Sequence, residues 1–525
     1  MTLSLTYPGV YLTEQSDMPM SVTPATTSLA AFIGAYAKGP IDEAVLVSSL
    51  SEFNQVFGGV LAASLASYAV WQFFANGGGS AWIVRVVPPD AQVAEGKLGE
   101  VNLQASSPGA WASGLSAKLS TVGTSFTLEV ADSNERVVET LTGLPSTSEI
   151  ALAQAISTRS AYLRASSSSA ARPQNATATL ESGKDGTWSA ENYANVVNTQ
   201  LGFPPQPPAG QAAGSTLPLL DQIAPQVFNV LCLPDAPLLA ASSALSLYSN
   251  ALSFCKNRRA FAIVDPAPPA AAVAGGVPVL FSDSPSTIDS VGGQPDALQL
   301  LCDWAVLGPN NYSGAAYYPW VTIVDPLTQQ QRVVPPSGTV AGVYATTDQT
   351  RGVWKAPAGV AATLVGVTAL ADTTITDTVN GTLNVIGVNC LRTFPIYQNV
   401  IWGARTLGGA DLDPVAFRYV SVRRLTDFIE QSLQQSLRWA VFEPNAPSLW
   451  ASISLEVGTF MSDLYAAGAL GGATAAQAYQ VVCDATTTSE QDILNGTVNV
   501  LVRFQPVEPA EFVVVNVQLT AGSPS

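Results

Sequence analysis

Asp265 and Asp325 end strand-like runs, and with Lys355 in the same parallel-sheet region they are the residues of this chain considered for acid–base or nucleophilic work. A carboxylate or lysine base in a parallel-sheet region would fit a hydrolase or transferase. Histidine, however, is absent from all 525 residues. That removes every Ser-His and Cys-His pair and every histidine-containing metal site. Asp411-Leu412-Asp413 could be offered as a metal or acid pair, but Gly408-Gly409 and Pro414 around it read as a turn. Gly77-Gly78-Gly79 follows a helix-like run and precedes a strand-like one, whereas a phosphate loop needs strand, loop, helix in that order. It reads as a helix end. The five cysteines (Cys232, Cys255, Cys302, Cys390 and Cys483) show no C-x-x-C spacing and read as small buried hydrophobes in a reducing compartment. The sequence therefore assigns no catalytic, cofactor-binding or metal-binding residue.

Composition narrows the partners. At 525 residues the chain is long enough for two to four domains. Hydrophobic residues make up 47% and charged residues 12%, so much of the surface is expected to be covered by partners. A net charge of −17 argues against nucleic acid or anionic lipid. The acidity serves either solubility or a basic partner. The start of the chain has no basic and apolar leader pattern, and the longest apolar stretches, such as residues 359–371, fall short of a bilayer span. No direct membrane insertion is expected.

The elements read as α/β and α+β multidomain. Residues 1–30 form an N-terminal arm, and 31–94 the first part of a central domain, with strand-like runs at 29–35 and 81–87 and a helix at 61–76. Residues 95–216 read as a mostly β outer insertion, with alternating runs at 117–122, 126–130 and 137–141 and one helix at 148–158. Residues 217–375 read as a central parallel-sheet α/β domain: buried strands at 227–233 and 260–265, a helix at 238–257 between them, a helix at 295–306 and a strand at 316–325.

Residues 376–509 read as a C-terminal α+β core domain, followed by an arm at 510–525. Val422, Leu425, Ile429, Leu433 and Leu437 recur at helical spacing, with Arg423, Arg424, Asp427, Glu430, Gln434 and Arg438 on the other side. A second helix over 448–467 carries Trp450, Ile453, Val457, Phe460, Leu464 and Ala467 in one stripe, and Thr474-x-x-Gln477 fits a capping box. Val498, Val500, Val502 and Phe504 share one strand face. The final run places Val513, Val515, Val517 and Leu519 on one face, and Leu3, Leu5 and Tyr7 alternate at the other end. Such terminal strands pair either within the chain or with another copy.

Several segments in order resemble the contractile tail sheath family of phage tails, R-type bacteriocins and extracellular contractile injection systems. They are Tyr7-Pro8-Gly9-Val10-Tyr11, Phe73-Phe74-Ala75-Asn76-Gly77-Gly78-Gly79, Tyr317-Tyr318-Pro319-Trp320, Val334-Pro335-Pro336-Ser337-Gly338 and Arg351-Gly352-Val353-Trp354-Lys355-Ala356-Pro357. Trp402-Gly403-Ala404-Arg405-Thr406, Arg418-Tyr419-Val420-Ser421-Val422-Arg423-Arg424, Phe442-Glu443-Pro444-Asn445 and Pro509-Ala510-Glu511-Phe512 continue the series.

The resemblance implies a structural, non-enzymatic subunit with no cofactor. Copies would polymerise helically, as stacked rings of about six subunits joined by exchanged terminal strands, around an inner tube that contraction drives through a target envelope. The exchange strands would carry Leu3, Leu5, Tyr7, Val10, Tyr11, Phe512, Val513, Val515, Val517 and Leu519, with Val498, Val500, Val502 and Phe504 in the receiving sheet. Glu456, Asp463 and Arg438, read as exposed polar positions on the two C-terminal helices, would face the tube. Partners would be further copies, the tube protein, and baseplate and terminator proteins. Assembly would take place in the bacterial cytoplasm, in a phage tail or tail-like particle. The alternatives are a non-contractile shell or baseplate component, and a histidine-independent α/β enzyme.

Overall fold

Ala-Ala-Phe-Ile-Gly-Ala, residues 30–35, has no polar position, and all six residues are buried. A strand of this kind needs cover on both faces and strand neighbours on both edges. In the computed structural model, which describes residues 21–204, 218–269, 280, 307–409 and 417–512, it has both. The chain divides into two units, Thr26–Phe428 with Glu508–Ser525 and Met1–Ala25 with Ile429–Val507.

The larger unit opens with β1 (Ala30–Ala35), β2 (Val45–Val47), α1 (Leu50–Phe57), α2 (Leu65–Ala75) and β3 (Ala81–Val86). Ser49 caps α1 by accepting from the Glu52 amide. Strands β4 (Glu95–Leu98), β5 (Val101–Ala105), β6 (Ser116–Val122), β7 (Ser125–Ala131), β8 (Val137–Leu144), helix α3 (Glu149–Arg159), β9 (Leu163–Ser166) and β10 (Ala176–Thr179) follow. They form two antiparallel sheets, β4-β5-β9 and β10-β6-β7-β8. Along β7 the side chains alternate between half-buried and buried, and Phe126, Leu128 and Val130 enter a core of their own with Leu103, Leu152 and Ile156. Helix α4 (Ala190–Gln200) falls within the residues read as the outer insertion, where only the helix at 148–158 was expected. Its Tyr193 and Val197 instead join the core of the main sheet.

Next come β11 (Val230–Cys232), α5 (Ala241–Arg258), β12 (Phe261–Val264), β13 (Gly314–Tyr318), β14 (Val321–Val324), β15 (Gln331–Val334), α6 (Ser337–Arg351), β16 (Val367–Leu370), α7 (Asp377–Val385), β17 (Val388–Phe394) and β18 (Gln398–Ile401). The main sheet has the order β18-β17-β13-β12-β11-β1-β3-β2. Its inner pairs are parallel and its two outermost pairs, β17–β18 and β2–β3, are antiparallel. The β11-α5-β12 succession is the parallel unit the sequence predicts. The single strand predicted over 316–325 is in fact two. Pro319, which lacks a main-chain donor, falls between β13 in the main sheet and β14 in a small β15-β14-β16 sheet. Strands β17 and β18, expected in a C-terminal domain from 376, are an edge of the main sheet. The predicted helix over 295–306 lies outside the described residues.

Helix α8 (Val420–Ser436) begins in the larger unit and ends in the smaller. The smaller unit continues with α9 (Pro447–Ala466), a single turn α10 (Ala475–Ala478), β19 (Tyr479–Val482), α11 (Glu490–Leu494) and β20 (Leu501–Phe504). Leu449, Trp450, Ile453, Val457, Phe460 and Leu464 are the buried stripe of α9. The capping box expected at Thr474 does not form. The Thr474 side chain makes no cap bond, and Gln477 Oε1 accepts from the Ala473 amide instead. No helix among the described residues is long and apolar enough to cross a membrane.

Candidate assembly surfaces

The smaller unit holds a two-stranded antiparallel sheet. In it Tyr479, Gln480, Val481 and Val482 of β19 face Phe504, Arg503, Val502 and Leu501 of β20. Among the described residues each strand has a single strand neighbour, so each leaves one edge of main-chain donors and acceptors open. A two-stranded ribbon is marginal in water, and a free edge is a template for another strand. Val502 and Phe504 are half-buried in β20, while Val498 and Val500 precede the strand. Strand β20 is therefore shorter than its sequence pattern suggests: just before it, Asn499 donates its amide to the Thr488 hydroxyl.

The N-terminal segment is described from Ser21 onward. In the smaller unit it is held by side chains of α8: the Thr23 amide donates to Ser436 Oγ and the Ala25 amide to Ser432 Oγ, both at 2.9 Å. Leu3, Leu5, Tyr7, Val10 and Tyr11 lie outside the described residues, as do Val513, Val515, Val517 and Leu519. Phe512 is described and 75% exposed.

Just before it, in the larger unit, Glu511 meets the buried Arg405. The guanidinium donates Nε to Oε1 and Nη2 to Oε2, each at 2.8 Å. Asn384 Nδ2 donates to Oε1 at 2.6 Å and the Tyr419 hydroxyl to Oε2 at 3.2 Å. Burial opposes the charge, but the bonds from Arg405 and Asn384 outweigh it and hold the Glu511 carboxyl below the usual carboxylate range. Beside this carboxylate lies a cleft of about 520 Å³, lined in part by Ala356, Ala358, Trp402, Ala404 and Phe512. The sequence reading named Arg405 and Glu511 only as parts of two motifs. Their 106-residue separation gives no local signal for the pair.

The three polar positions expected to face a tube divide. Asp463 and Arg438 are exposed, but Glu456 is only 5% exposed. Its Oε2 accepts from the Trp439 indole at 2.8 Å, so its exposed reading is corrected. Burial raises the Glu456 carboxyl, and the indole bond offsets part of the rise. On α8, Arg423, Arg424 and Asp427, on the side opposite the apolar stripe, are buried as well.

The candidate enzymatic groups each have separate structural partners. Asp265 is fully buried and accepts from the Ser337 amide at 2.9 Å. Asp325 pairs with Arg332 at 3.5 Å, and Lys355 Nζ donates to the Ala356 carbonyl at 2.7 Å. The described cysteines Cys232, Cys255, Cys390 and Cys483 are buried and free. Asp411 and Asp413 lie outside the described residues.

Residues 413–520 match the phage tail sheath C-terminal domain. Over 237 residues, 45% of this chain, the sequence is 26% identical to the tail sheath protein of Vibrio phage KVP40. That alignment spans 32% of the phage protein, so the chain matches about a third of the curated relative's length. Among solved structures, a chain of the anti-feeding prophage baseplate superposes with a TM-score of 0.57 at 21% identity, covering 99% of this chain and 100% of that one. A chain of the contracted PVC sheath complex, an extracellular contractile injection system, gives 0.55 at 20% identity over 98% of both. A sheath tail protein from Listeria innocua gives 0.59 at 12% identity, covering 93% and 96%. These superpositions show a shared fold. The chain is thus similar to contractile tail sheath proteins, in sequence over residues 413–520 and in fold over nearly its whole length.

Proposed function

We propose that this chain is the structural subunit of a contractile sheath. Copies polymerise helically around an inner tube, joined by exchanged strands, and contraction drives the tube through a target envelope. The observation that carries this reading is the β19–β20 ribbon, whose outer edges have no strand neighbour among the described residues, set inside the matched sheath domain. The period-2 run after Phe512 supplies a strand of the right type, with Val513, Val515, Val517 and Leu519 on one face. Each main-chain bond so formed contributes ~1 kcal/mol net, and the buried valine face adds ~25 cal/mol per Å². Several pairs together hold neighbours in register while the bodies repack.

On this reading the partners are further copies in stacked rings of about six, a tube protein, and baseplate and terminator proteins. The particle is a phage tail or tail-like injection system assembled in the bacterial cytoplasm. Asp463 and Arg438 remain the candidates for the tube-facing surface. The test uses the full chain with Val515→Pro and Val517→Pro, which removes two ladder donors without shortening the arm. Sheaths should vanish from negative-stain micrographs while the subunit keeps its circular dichroism. Long sheaths from the double variant would overturn the strand-exchange reading.

A further inference from the structure

Glu511 is the last charged side chain of the sequence. Around it, the main chain of residues 508–512 makes no main-chain hydrogen bond among the described residues. The Glu511 carboxylate is what fastens this stretch, and its partner is built for the purpose. Arg405 is 2% exposed, and its own main chain is locked in place. Its amide donates to Asn389 Oδ1 at 2.7 Å, and Asn389 Nδ2 donates to the Arg405 carbonyl at 2.8 Å and to the Ala316 carbonyl at 3.2 Å. Asn389 lies on β17 and Ala316 on β13, so the guanidinium is anchored to the main sheet. Arg405 Nη1 also donates to the Asn384 carbonyl at 3.0 Å, leaving Nε and Nη2 as a fork aimed at one carboxylate. That is the planar, two-point grip a lysine does not reproduce. Immediately beyond it Phe512 is 75% exposed, a large apolar side chain without cover.

We propose that Arg405, Asn384 and Tyr419 form a clamp that fixes Glu511 as the root of the C-terminal arm. The stretch that ends at Phe512 is then fixed to the larger unit at one defined point, the root from which the arm reaches a neighbouring copy. The proposal rests on the sheath reading above and adds the positioning residues on which it depends. A strand delivered from a fixed root searches a small volume, so its effective concentration at the neighbour's open edge is high. Freeing the root enlarges that volume and lets the arm fold back on its own subunit. The clamp is thus a positioning device that acts through the arm.

The full-length chain carrying Glu511→Gln tests it, with sheath yield read by sedimentation and negative stain, and release of the root read by hydrogen exchange of residues 508–512. The expected result is a folded subunit with at least tenfold faster exchange in this stretch and at least a tenfold loss of sedimenting sheath. Asn384→Ala and Tyr419→Phe each remove one neutral donor and should give smaller, several-fold losses of sheath. They decide the matter if Glu511→Gln fails to fold. Wild-type sheath yield from these variants, alongside loss of sheath in the Val515→Pro, Val517→Pro chain, overturns the clamp and leaves the exchanged arm standing. Normal sheaths from every variant overturn both.

Discussion

Arg424, on the first turns of α8, grips Asp348 near the end of α6 with both arms of its guanidinium. Nη1 donates to Oδ1 at 2.9 Å and Nη2 to Oδ2 at 2.6 Å. The side chains are 4% and 1% exposed. The same Nη2 donates to the Thr27 carbonyl at 2.8 Å, and the guanidinium lies 4.7 Å from the centroid of the Tyr344 ring. One cation thereby joins three stretches of the larger unit that are far apart in sequence.

Arg424→Ala leaves the Asp348 carboxylate buried without its counter-ion and should cost about 3–5 kcal/mol. Arg424→Lys keeps the charge but loses the fork and the stacked face, and should cost part of this. Replacing both residues with apolar ones, as in Arg424→Met with Asp348→Leu, should cost less than Arg424→Ala alone, because no charge is then stranded. Urea unfolding of the unassembled subunit gives all three values. A double variant weaker than the single would show that the pair contributes more than the burial of one charge.

Helices α2 and α6 touch through glycine. A methyl group placed on Gly338 would lie 2.2 Å from the Ala69 carbonyl oxygen, and one on Gly342 would lie 2.7 Å from that of Phe73. Main-chain atoms do not yield as a side chain does, so Gly338→Ala and Gly342→Ala must separate the helices. Each should cost about 1–3 kcal/mol or more, although alanine is the better helix former. A chemical denaturation curve unmoved by either change would mean the helices are not held at this distance.

The parts of the fold that were legible are those where one local pattern decides the outcome. The unbroken apolar runs at β11 and β12, with a helix between them, are the pattern of a parallel unit, and the alternation in β6 and β7 is that of strands with one buried face. The polar side of α8 misled because periodicity reports polarity and not burial. Arg423, Arg424 and Asp427 are interior because each is paired: Arg424 with Asp348, and Arg423 with Asp427 four residues on. Glu456 was misread in the same way, its partner being an indole seventeen residues back. The Arg405–Glu511 clamp joins residues 106 positions apart, so no local window of sequence contains it.

Phe442 combines a left-handed backbone, φ +73°, with complete exposure of its ring. For a residue with a Cβ this conformation costs about 1 kcal/mol, and in the isolated subunit no buried contact offsets it. Phe442→Gly should raise the unfolding free energy by about 1 kcal/mol. Phe442→Ala, which keeps the Cβ, should leave it nearly unchanged. Equal stabilities for the two variants would remove the backbone explanation.

Asp235 and Asp265 are fully buried, and each accepts from a helix N-terminus. Asp235 Oδ1 takes the Leu65 amide at 2.7 Å, and Asp265 Oδ1 takes the Ser337 amide at 2.9 Å. Burial pushes both carboxyls up to about 7, and these donors only partly oppose it. In the unfolded chain an aspartate titrates near 4. The folded state therefore binds more protons over the interval between. The stability these groups contribute is complete below about pH 4 and falls as pH rises through 7, then levels off. Asp265→Asn takes one of the two out of the balance. Relative to that variant, the wild-type subunit should lose about 2–4 kcal/mol of unfolding free energy between pH 4 and 8, at 1.36 kcal/mol per pK unit of displacement. Denaturation midpoints for the two proteins that run parallel across this range would place the Asp265 carboxylate in its ordinary, ionised state.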